Sequence, residues 1–590
     1  MVRLRFAAIM CALCAQMLAA GVAHADVAKA IVRGEMPQAL REAIVIAVGE
    51  SERPPASRLE ARRRAQDAGE DAIAVLRSQG YYAYVVQPDV TDTTPAQPVI
   101  DVFPGPQFVI AVPKVTWEGE APPENVRQKS EAALELKEGA PGRAADILAS
   151  EGRVVAATQK QGYADAIAPS REVIVDHDSV SVIPEFKVIA GPLVRLDGID
   201  LRTRGRTNPA WVRQLAPWKE GEVYNPEDVA ELERRLLDAQ VYESVTVALG
   251  TAEAEVDGKR PVLVSLSERP RRLLELGAGY STTEGAGVDG RSTWYNRLGR
   301  ADTLTATYRF GQIDSRLEGE LSLPHWRRAN RILRIGGGIY QENTDAYDEN
   351  GITARADVTR RYSKTSYRTF GVSLDLTDTD EKTPVIRNRK LTTLTGLALF
   401  AWDGSDDPLN PTRGFRIDGR AEPTISTGDD SAIYLRLIAQ GSYYLSFGED
   451  AGTVLAVRTR IGSVMGGSLA SIPSSRRLYA GGGGSVRGYA YQGVGPRLPD
   501  NTPQGGLGLF EASFEVRQHI TGRWGAVAFI DVGAISEGDA PDFSNVNTGV
   551  GFGVRYDLGF GPIRADIAFP VDRRAGDNAY EIYLSIGQSF

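Results

Sequence analysis

The chain has 590 residues, of which 67 are basic and 76 acidic, for a net charge of −9 at neutral pH. This acidic balance gives no reason to expect a nucleic-acid partner, and a chain of this length is not built around one core. Its two cysteines, Cys11 and Cys14, lie near the start, so neither a disulfide framework nor a thiolate metal site is available to the rest.

Met1-Val2-Arg3-Leu4-Arg5 leads into an apolar run from Phe6 to about Ala20 and then Ala23-His24-Ala25. A basic start, a short apolar stretch and an A-x-A site predict a secretory signal peptide over residues 1–25; the run is shorter than the ~18 residues of a membrane helix. The remaining 565 residues would carry a net charge of −11, because the leader holds two basic residues and no acidic one. Beyond it no apolar run reaches ~18 residues, so this chain could span a membrane only as a closed sheet.

Residues 26 to about 269 repeat. A charged helical stretch from about Ser57 to Ser78 ends in Gln79-Gly80-Tyr81, and a second from about Ala144 to Lys160 ends in Gln161-Gly162-Tyr163. A third opens with Asn225-Pro226-Glu227-Asp228, carries Leu232, Leu236 and Leu237, and ends in Gln240-Val241-Tyr242. The three tyrosines are 82 and 79 residues apart, which predicts three copies of one unit. Extended stretches follow each helix stop: Tyr82 to Val86, Ala166 to Val175 and Ser244 to Leu249. Closing strands follow at Val99 to Phe103, Val180 to Val188 and Val262 to Leu266, with further extended segments at Gln107 to Val112 and Leu193 to Leu196. A helix pair on one face of a small sheet fits the spacing, with boundaries at 26–110, 111–193 and 194–269. The start of the remaining chain lies so close to the first repeat that its first strand could be trimmed.

From 270 to 590 the periodicity changes to two. In Thr303 to Phe310, Leu304, Ala306, Tyr308 and Phe310 share one face; in Tyr434 to Phe447, Leu435, Leu437, Ala439, Tyr443, Leu445 and Phe447 do. Ile582, Leu584 and Ile586 repeat the pattern. Apolar outside and polar inside suits a strand between lipid and a wet lumen, and a soluble sandwich alternates in the same way. Aromatic residues near strand ends, long polar connections such as Asp375 to Arg387, and a last strand running from about Ala579 to Phe590 without a tail favour the barrel. About 318 residues suit roughly sixteen strands of ~10 residues with connections of similar length.

Leu478-Tyr479-Ala480-Gly481-Gly482-Gly483-Gly484-Ser485-Val486-Arg487-Gly488-Tyr489 resembles the signature loop of the outer-membrane assembly-factor superfamily. Asp406-Asp407-Pro408-Leu409-Asn410-Pro411-Thr412-Arg413-Gly414-Phe415 resembles its mid-barrel turn, and Phe529-Ile530-Asp531-Val532-Gly533 its F-x-D-x-G strand. Gly551 to Tyr556 and Gly561 to Asp566 resemble the next two strands. Phe590 resembles the terminal aromatic signal, from which Gln588 departs where an apolar residue is usual. The resemblance implies a signal peptide, three α+β POTRA domains in the periplasm and a sixteen-stranded antiparallel transmembrane β-barrel in the bacterial outer membrane. Three repeats are most similar to the TamA branch.

The same resemblance places Val486, Arg487, Gly488 and Tyr489 on a loop folded into the barrel. A planar cation in a partly dry lumen needs acidic partners. Strand parity turns Glu511, Ser513, Glu515 and Arg517 inward, and likewise Asp531; the resemblance selects Asp531 and Glu515 as the loop-anchoring acids, while Gly481, Gly482, Gly483 and Gly484 form a glycine hinge. Gly277 and Gly279 would weaken the seam between the first strand (about Leu273–Ser281) and the last. His177, His325 and His519 are far apart and predicted to lie at the surface or in the aromatic girdle. H-E-x-x-H, G-x-S-x-G and phosphate-loop patterns are absent from the sequence, so no catalytic residue, metal or cofactor is expected. The expected function is assembly or translocation of outer-membrane polypeptides such as autotransporters, without nucleotide hydrolysis. Unfolded outer-membrane proteins would be clients, the outer-membrane lipid bilayer the medium, and a TamB-like inner-membrane-anchored protein the partner of the N-terminal repeat. The alternatives are a two-partner secretion transporter for one dedicated exoprotein and an outer-membrane barrel enzyme.

Overall fold

Period-two alternation over the last 320 residues dictates a sheet whose faces meet different surroundings, and the computed structural model contains one. It describes residues 27–51, 53–281, 285–363, 365–382, 387–448, 451–559 and 561–590; the signal peptide lies outside them.

The first part of the chain holds short strands and helix pairs. These are β1 (Val27–Ala28), β2 (Ile31–Arg33), α1 (Gln38–Val48), β3 (Glu50–Ser51), α2 (Arg58–Ser78), β4 (Val85–Val90) and β5 (Pro98–Phe103). Then come β6 (Val109–Ile110), β7 (Lys114–Trp117), α3 (Glu124–Ala132), α4 (Ala144–Lys160), β8 (Ile167–Asp176) and β9 (Ser181–Ile189). β10 (Arg195–Thr203), α5 (Pro209–Leu215), α6 (Pro226–Asp238), β11 (Tyr242–Leu249) and β12 (Lys259–Glu268) complete it. Their sheets run β2-β5-β4, β6-β9-β7 with β8 on β9, and β10-β12-β11. Three helix pairs therefore alternate with these three sheets, and β1 pairs with β3 in a separate two-stranded sheet. β2 is present and pairs in parallel with β5, so the first sheet keeps its first strand. The strand expected from Tyr82 begins only at Val85, because Tyr81 and Tyr82 turn into the apolar clusters beneath the helices.

The helices follow from local chemistry. Ser57 Oγ accepts the Glu60 amide and caps α2, while Ala61, Ala65, Ala68, Ala72 and Leu76 form its buried stripe. Gly80 and Gly162 adopt φ +84° and +102° just past the helix ends, a conformation that costs other residues about 1–2 kcal/mol. Arg260 is buried and bridges Asp165 through Nη1 and Nη2 at 2.8 and 2.6 Å, and Glu255 through Nε at 2.8 Å. That triad ties the second sheet region to the third.

Sixteen antiparallel strands follow, each hydrogen-bonded to the next in chain order. They are β13 (Arg272–Ser281), β14 (Gly285–Tyr295), β15 (Thr303–Gly311), β16 (Asp314–Pro324), β17 (Arg331–Asn343), β18 (Tyr347–Arg361), β19 (Tyr367–Glu381) and β20 (Arg387–Asp403). The second half is β21 (Gly414–Gly428), β22 (Ala432–Phe447), β23 (Thr453–Met465), β24 (Gly508–Thr521), β25 (Trp524–Ser536), β26 (Asn547–Asp557), β27 (Pro562–Pro570) and β28 (Glu581–Ile586). Phe370, Leu394, Ile461, Phe514, Ile530 and Leu584 stay exposed on the outer face, whereas Thr377, Ser442, Glu515 and Asp531 are buried on the inner one. An apolar exterior around a polar interior is the lipid-facing arrangement of a transmembrane barrel.

Two expectations change. Asp375 to Arg387 is not a long loop: β19 runs to Glu381, since Asp375, Thr379 and Glu381 face inward onto polar partners, and β20 starts at Arg387. The last strand ends at Ile586, and Gly587, at φ +87°, turns residues 587–590 out of the sheet. β13 and β28 stand at the two ends of the sheet order. Gly277 and Gly279 pair in register with Asp289 and Gly287 of β14.

The chain divides into two compact units, one built from Met1–Asp197, Trp218–Asp228 and Gly250–Pro261, the other from Gly198–Pro217, Val229–Leu249 and Val262–Phe590. Within the second unit, the third helix pair rests on the barrel. Glu268 Oε1 accepts from Arg206 N (2.6 Å), Thr207 N (2.9 Å), Thr207 Oγ (2.8 Å) and Asn296 Nδ2 (2.7 Å). His325, expected at the surface, is only 8% exposed in the β16–β17 turn. Its Nε2 donates to Arg235 O at 2.8 Å, and Nδ1 accepts from Asn330 N at 3.1 Å. Both nitrogens are committed to the neutral ring, and burial holds the imidazole below its ordinary value, with Arg235 opposing the charge and Asp238 and Glu231 favouring it.

With the docked pKa lowered, docking is unaffected while the ring is neutral in both states. It weakens as pH falls through the ordinary range near 6.5, where only the undocked ring takes the proton. Protection against hydrogen exchange across α5 and α6, normalised to the intrinsic exchange rate at each pH, should therefore be lower at about pH 5.5 than at about pH 7.5. The difference should vanish in His325→Gln; an unchanged difference in that variant refutes the assignment.

Candidate functional site

The connection between β23 and β24, residues 466–507, folds back into the distal end of the lumen, the end away from the third helix pair. A buried apolar cluster carries it: Ile472, Leu478, Ala480, Val486, Tyr489, Val494 and Leu507 pack with Tyr434, Val464, Leu509 and Ile535 of the wall. Burying these side chains stabilises the loop by about 1.5–3 kcal/mol for each large one.

Arg487 sits at its tip, 1% exposed. Its Nε and Nη2 donate to Asp531 Oδ2 and Oδ1 at 2.6 and 2.9 Å, and its backbone N adds a bond to Oδ2 at 3.1 Å. Nη1 donates to Glu515 Oε1 at 2.7 Å and to Asp566 Oδ2 at 3.4 Å. The guanidinium lies 3.4 Å from the centre of the Phe529 ring. A second shell neutralises the acids: Arg517 Nε reaches Glu515 Oε2 at 2.9 Å, and Arg555 and Arg564 flank Asp566. The two-pronged contact with Asp531 needs a planar cation, a geometry lysine lacks.

The flanking residues are held as tightly. Arg458 donates to Gly484 O (2.8 Å), Ser485 O (3.0 Å) and Ser513 Oγ (3.0 Å). Ser485 Oγ donates to Glu511 Oε1 at 2.5 Å. Tyr489 donates to Thr548 O, and the Tyr583 hydroxyl accepts from Gly488 N at 3.1 Å. Val486 fits over Gly533, where an added Cβ would lie 2.5 Å from Val486 Cγ2.

Parity and resemblance thus brought together Arg487, Asp531 and Glu515. Parity also turned Glu511 inward without giving it a partner, and Asp566, Phe529, Arg458 and Tyr583 were not singled out. One signal for them was present: Gly549, Gly551 and Gly553 recur at period two on the inward face of β26. Added Cβ atoms there would lie 1.8 Å from Arg487 O, 2.4 Å from Phe529 Cζ and 1.9 Å from Asp566 Oδ1. The glycines clear the space that the clamp fills. The four-glycine hinge is narrower than expected: Gly481 and Gly482 have φ +111° and +100°, and Gly483 is needed because its Cβ would meet the Tyr583 ring at 2.8 Å. Gly484 has neither constraint; it contributes its carbonyl.

The same loop has a second anchorage on the opposite wall. Ser474 N donates to Glu381 Oε1 at 2.8 Å, and Arg476 pairs with Asp375 at 3.5 Å. Arg477 donates to the carbonyls of Ile472, Gln504 and Leu469 at 3.1, 2.9 and 2.8 Å. Docked at both walls, the loop crosses the distal lumen.

Comparison with known proteins agrees with this geometry. Residues 296–590 match the family model described as the Omp85 superfamily domain. The chain is similar to the outer membrane protein assembly factor BamA of Neorickettsia risticii (strain Illinois), 22% identical over 449 residues, 70% of this chain and 59% of the relative. It is also similar to that of Nitratidesulfovibrio vulgaris, 24% identical over 359 residues, 57% of this chain and 44% of the relative. The chain therefore spans about half the length of the curated relatives it matches. The crystal structure of BamA from Haemophilus ducreyi lacking POTRA domains 1–3 shares the fold, with a TM-score of 0.68 and 16% identity, covering 81% of this chain and all of that one.

Removing one partner from a buried ion pair costs about 3–5 kcal/mol. Arg487→Ala should insert as a heat-modifiable barrel yet expose residues 478–490 to protease, and Arg487→Lys should recover little of the loss. Protease resistance equal to the parent in both variants would contradict the clamp. Gly549→Val should reproduce the Arg487→Ala pattern, since its side chain overlaps the Arg487 carbonyl.

Proposed function

The chain belongs to the Omp85 superfamily, and from that membership we propose that it is an outer-membrane assembly factor. It helps to insert or export other outer-membrane polypeptides, autotransporters among them, without nucleotide hydrolysis. The observation that carries this reading is the loop clamped inside the barrel beside a short last strand. The loop docks in the distal lumen, and β13 and β28 are the first and last strands of the sheet order. The terminal strands of a sheet can exchange backbone hydrogen bonds with an incoming strand. The wall is also uneven in height. β20 has seventeen residues and β28 six, about 56 and 20 Å at ~3.3 Å per residue, so the bilayer meets its shortest wall at the seam.

In this reading the helix pairs and small sheets are three POTRA domains, 26–110, 111–193 and 194–269, held in the periplasm. Their edge strands, such as β2 and β8, lend themselves to strand addition by unfolded clients. Three such domains favour a TamA-like assignment, with a TamB-like inner-membrane-anchored partner docking on the first. The proposed machinery contains no catalytic residue, metal or nucleic-acid contact.

Proteoliposomes carrying the full chain should accelerate the folding of an unfolded barrel client. Arg487→Ala should lower that rate by about tenfold or more, in line with a loss of at least 1.4 kcal/mol. A large steady single-channel conductance with no client folding would instead identify a two-partner secretion transporter. Affinity capture of the full chain from whole envelopes tests the partner: recovery of a long inner-membrane-anchored protein supports the TamA-like assignment, and its loss on removal of residues 27–110 locates the dock.

A further inference from the structure

The turn between β20 and β21 reaches the residues that leave the sheet after β28. These strands stand at the eighth and sixteenth places of a sixteen-stranded order, so the contact crosses the mouth of the lumen on the side of the third helix pair, the arm-side mouth. Gln588 N donates to Leu409 O at 3.1 Å, and Gln588 Nε2 donates to Asn410 Oδ1 at 3.0 Å. Leu409 packs over Gly561 and Gly587, where added Cβ atoms would lie 3.2 and 3.7 Å from it. The turn is preorganised. Asp407 Oδ1 accepts the amides of Leu409 and Asn410, both at 2.7 Å. Asp406 takes Thr412 N at 2.8 Å, Thr412 Oγ at 2.5 Å and Arg413 N at 3.1 Å.

Two arginines continue these contacts up the lumen. Arg517 donates to Phe590 O (3.1 Å) and Pro411 O (3.3 Å), lies 5.4 Å from the Phe590 ring, and pairs with Glu515. Arg555 donates to Gln588 Oε1 at 3.0 Å and pairs with Asp566. Glu515 and Asp566 are also partners of Arg487. Two unbroken routes therefore join the loop clamp to residues 588–590, through Glu515–Arg517 and through Asp566–Arg555. Gln588, where the superfamily resemblance favours an apolar residue, has polar partners on three sides because it lies in the mouth rather than against lipid.

The geometry points to a latch. The 404–413 turn holds residues 587–590 inside the arm-side mouth and out of the sheet, and Arg517 and Arg555 couple its release to movement of the Arg487 loop. Each arginine binds a carboxylate of the clamp with one face of its guanidinium and the 587–590 segment with another. Withdrawing Arg487 leaves Glu515 and Asp566 with excess negative charge, so both arginines are drawn toward the carboxylates and away from the segment. The freed segment can then lengthen the edge of β28. That consequence rests on the assembly reading; the latch itself does not.

The test uses the full chain in outer membranes. Its own cysteines, Cys11 and Cys14, lie in the predicted leader. Asn410→Cys with Gln588→Cys should be joined by a short, reductant-cleavable methanethiosulfonate crosslinker in most molecules. In Arg517→Gln and Arg487→Ala backgrounds the crosslinking rate should fall about fivefold or more, while the heat-modifiable barrel persists. Asp407→Ala, which loosens the turn without touching residues 587–590, should raise exchange of the Gln588 amide about tenfold. Absence of the crosslink in folded protein, or equal rates with and without Arg487 and Arg517, overturns the latch. In client-folding assays the crosslinked form should be slow and recover on reduction; equal rates for locked and reduced forms overturn its role in the cycle. If the parent chain folds no client at all, the assembly reading fails, while crosslinking rate and amide exchange still decide the latch.

Discussion

Arg487 is almost fully withdrawn from solvent, and a cation fixed there requires carboxylates placed to receive it. Much of the lumen is arranged around that requirement. Asp531, Glu515 and Asp566 come from three different strands, β25, β24 and β27, so no single hairpin can satisfy the guanidinium. The acids in turn require Arg517, Arg555 and Arg564. The inward glycines of β26 exist because the loop backbone and the Phe529 ring occupy the volume a side chain would fill. One buried charge thus imposes residue identities on four consecutive strands.

The same strands carry the end of the sheet. The loop holds several of them at their distal ends, and at the other end the 404–413 turn meets Arg517 of β24, Gly561 and the residues after β28. At the distal end Arg497 pairs with Asp577, and Arg574 donates to Gly495 O at 2.7 Å, so the β27–β28 connection is fastened to the loop as well. Ion pairs and side-chain contacts thus hold the last strands from inside the lumen.

The third helix pair meets the barrel through neutral hydrogen bonds to the buried His325 and a four-donor carboxylate at the partly buried Glu268. Interactions of this kind fix direction as well as distance. The first barrel turn, residues 296–302, is part of that seat.

Sequence alone determined whatever depends on neighbours a few residues away. The helices of the repeats were readable from spacing, caps and the glycines that stop them. The inward placement of Glu515, Asp531 and Arg517 was readable from parity, because a pleated strand fixes the face of every residue once one is known. The choice of Asp531 and Glu515 as partners of Arg487 needed the family resemblance as well. Tertiary structure decided what curvature brings together. Ser474 meets Glu381 across 93 residues and Gln588 meets Asn410 across 178, pairings that no local pattern encodes. Where β28 stops and why His325 is buried both depend on how far the sheet bends before its two edges approach, a sum over sixteen strand twists that no single segment of the chain contains.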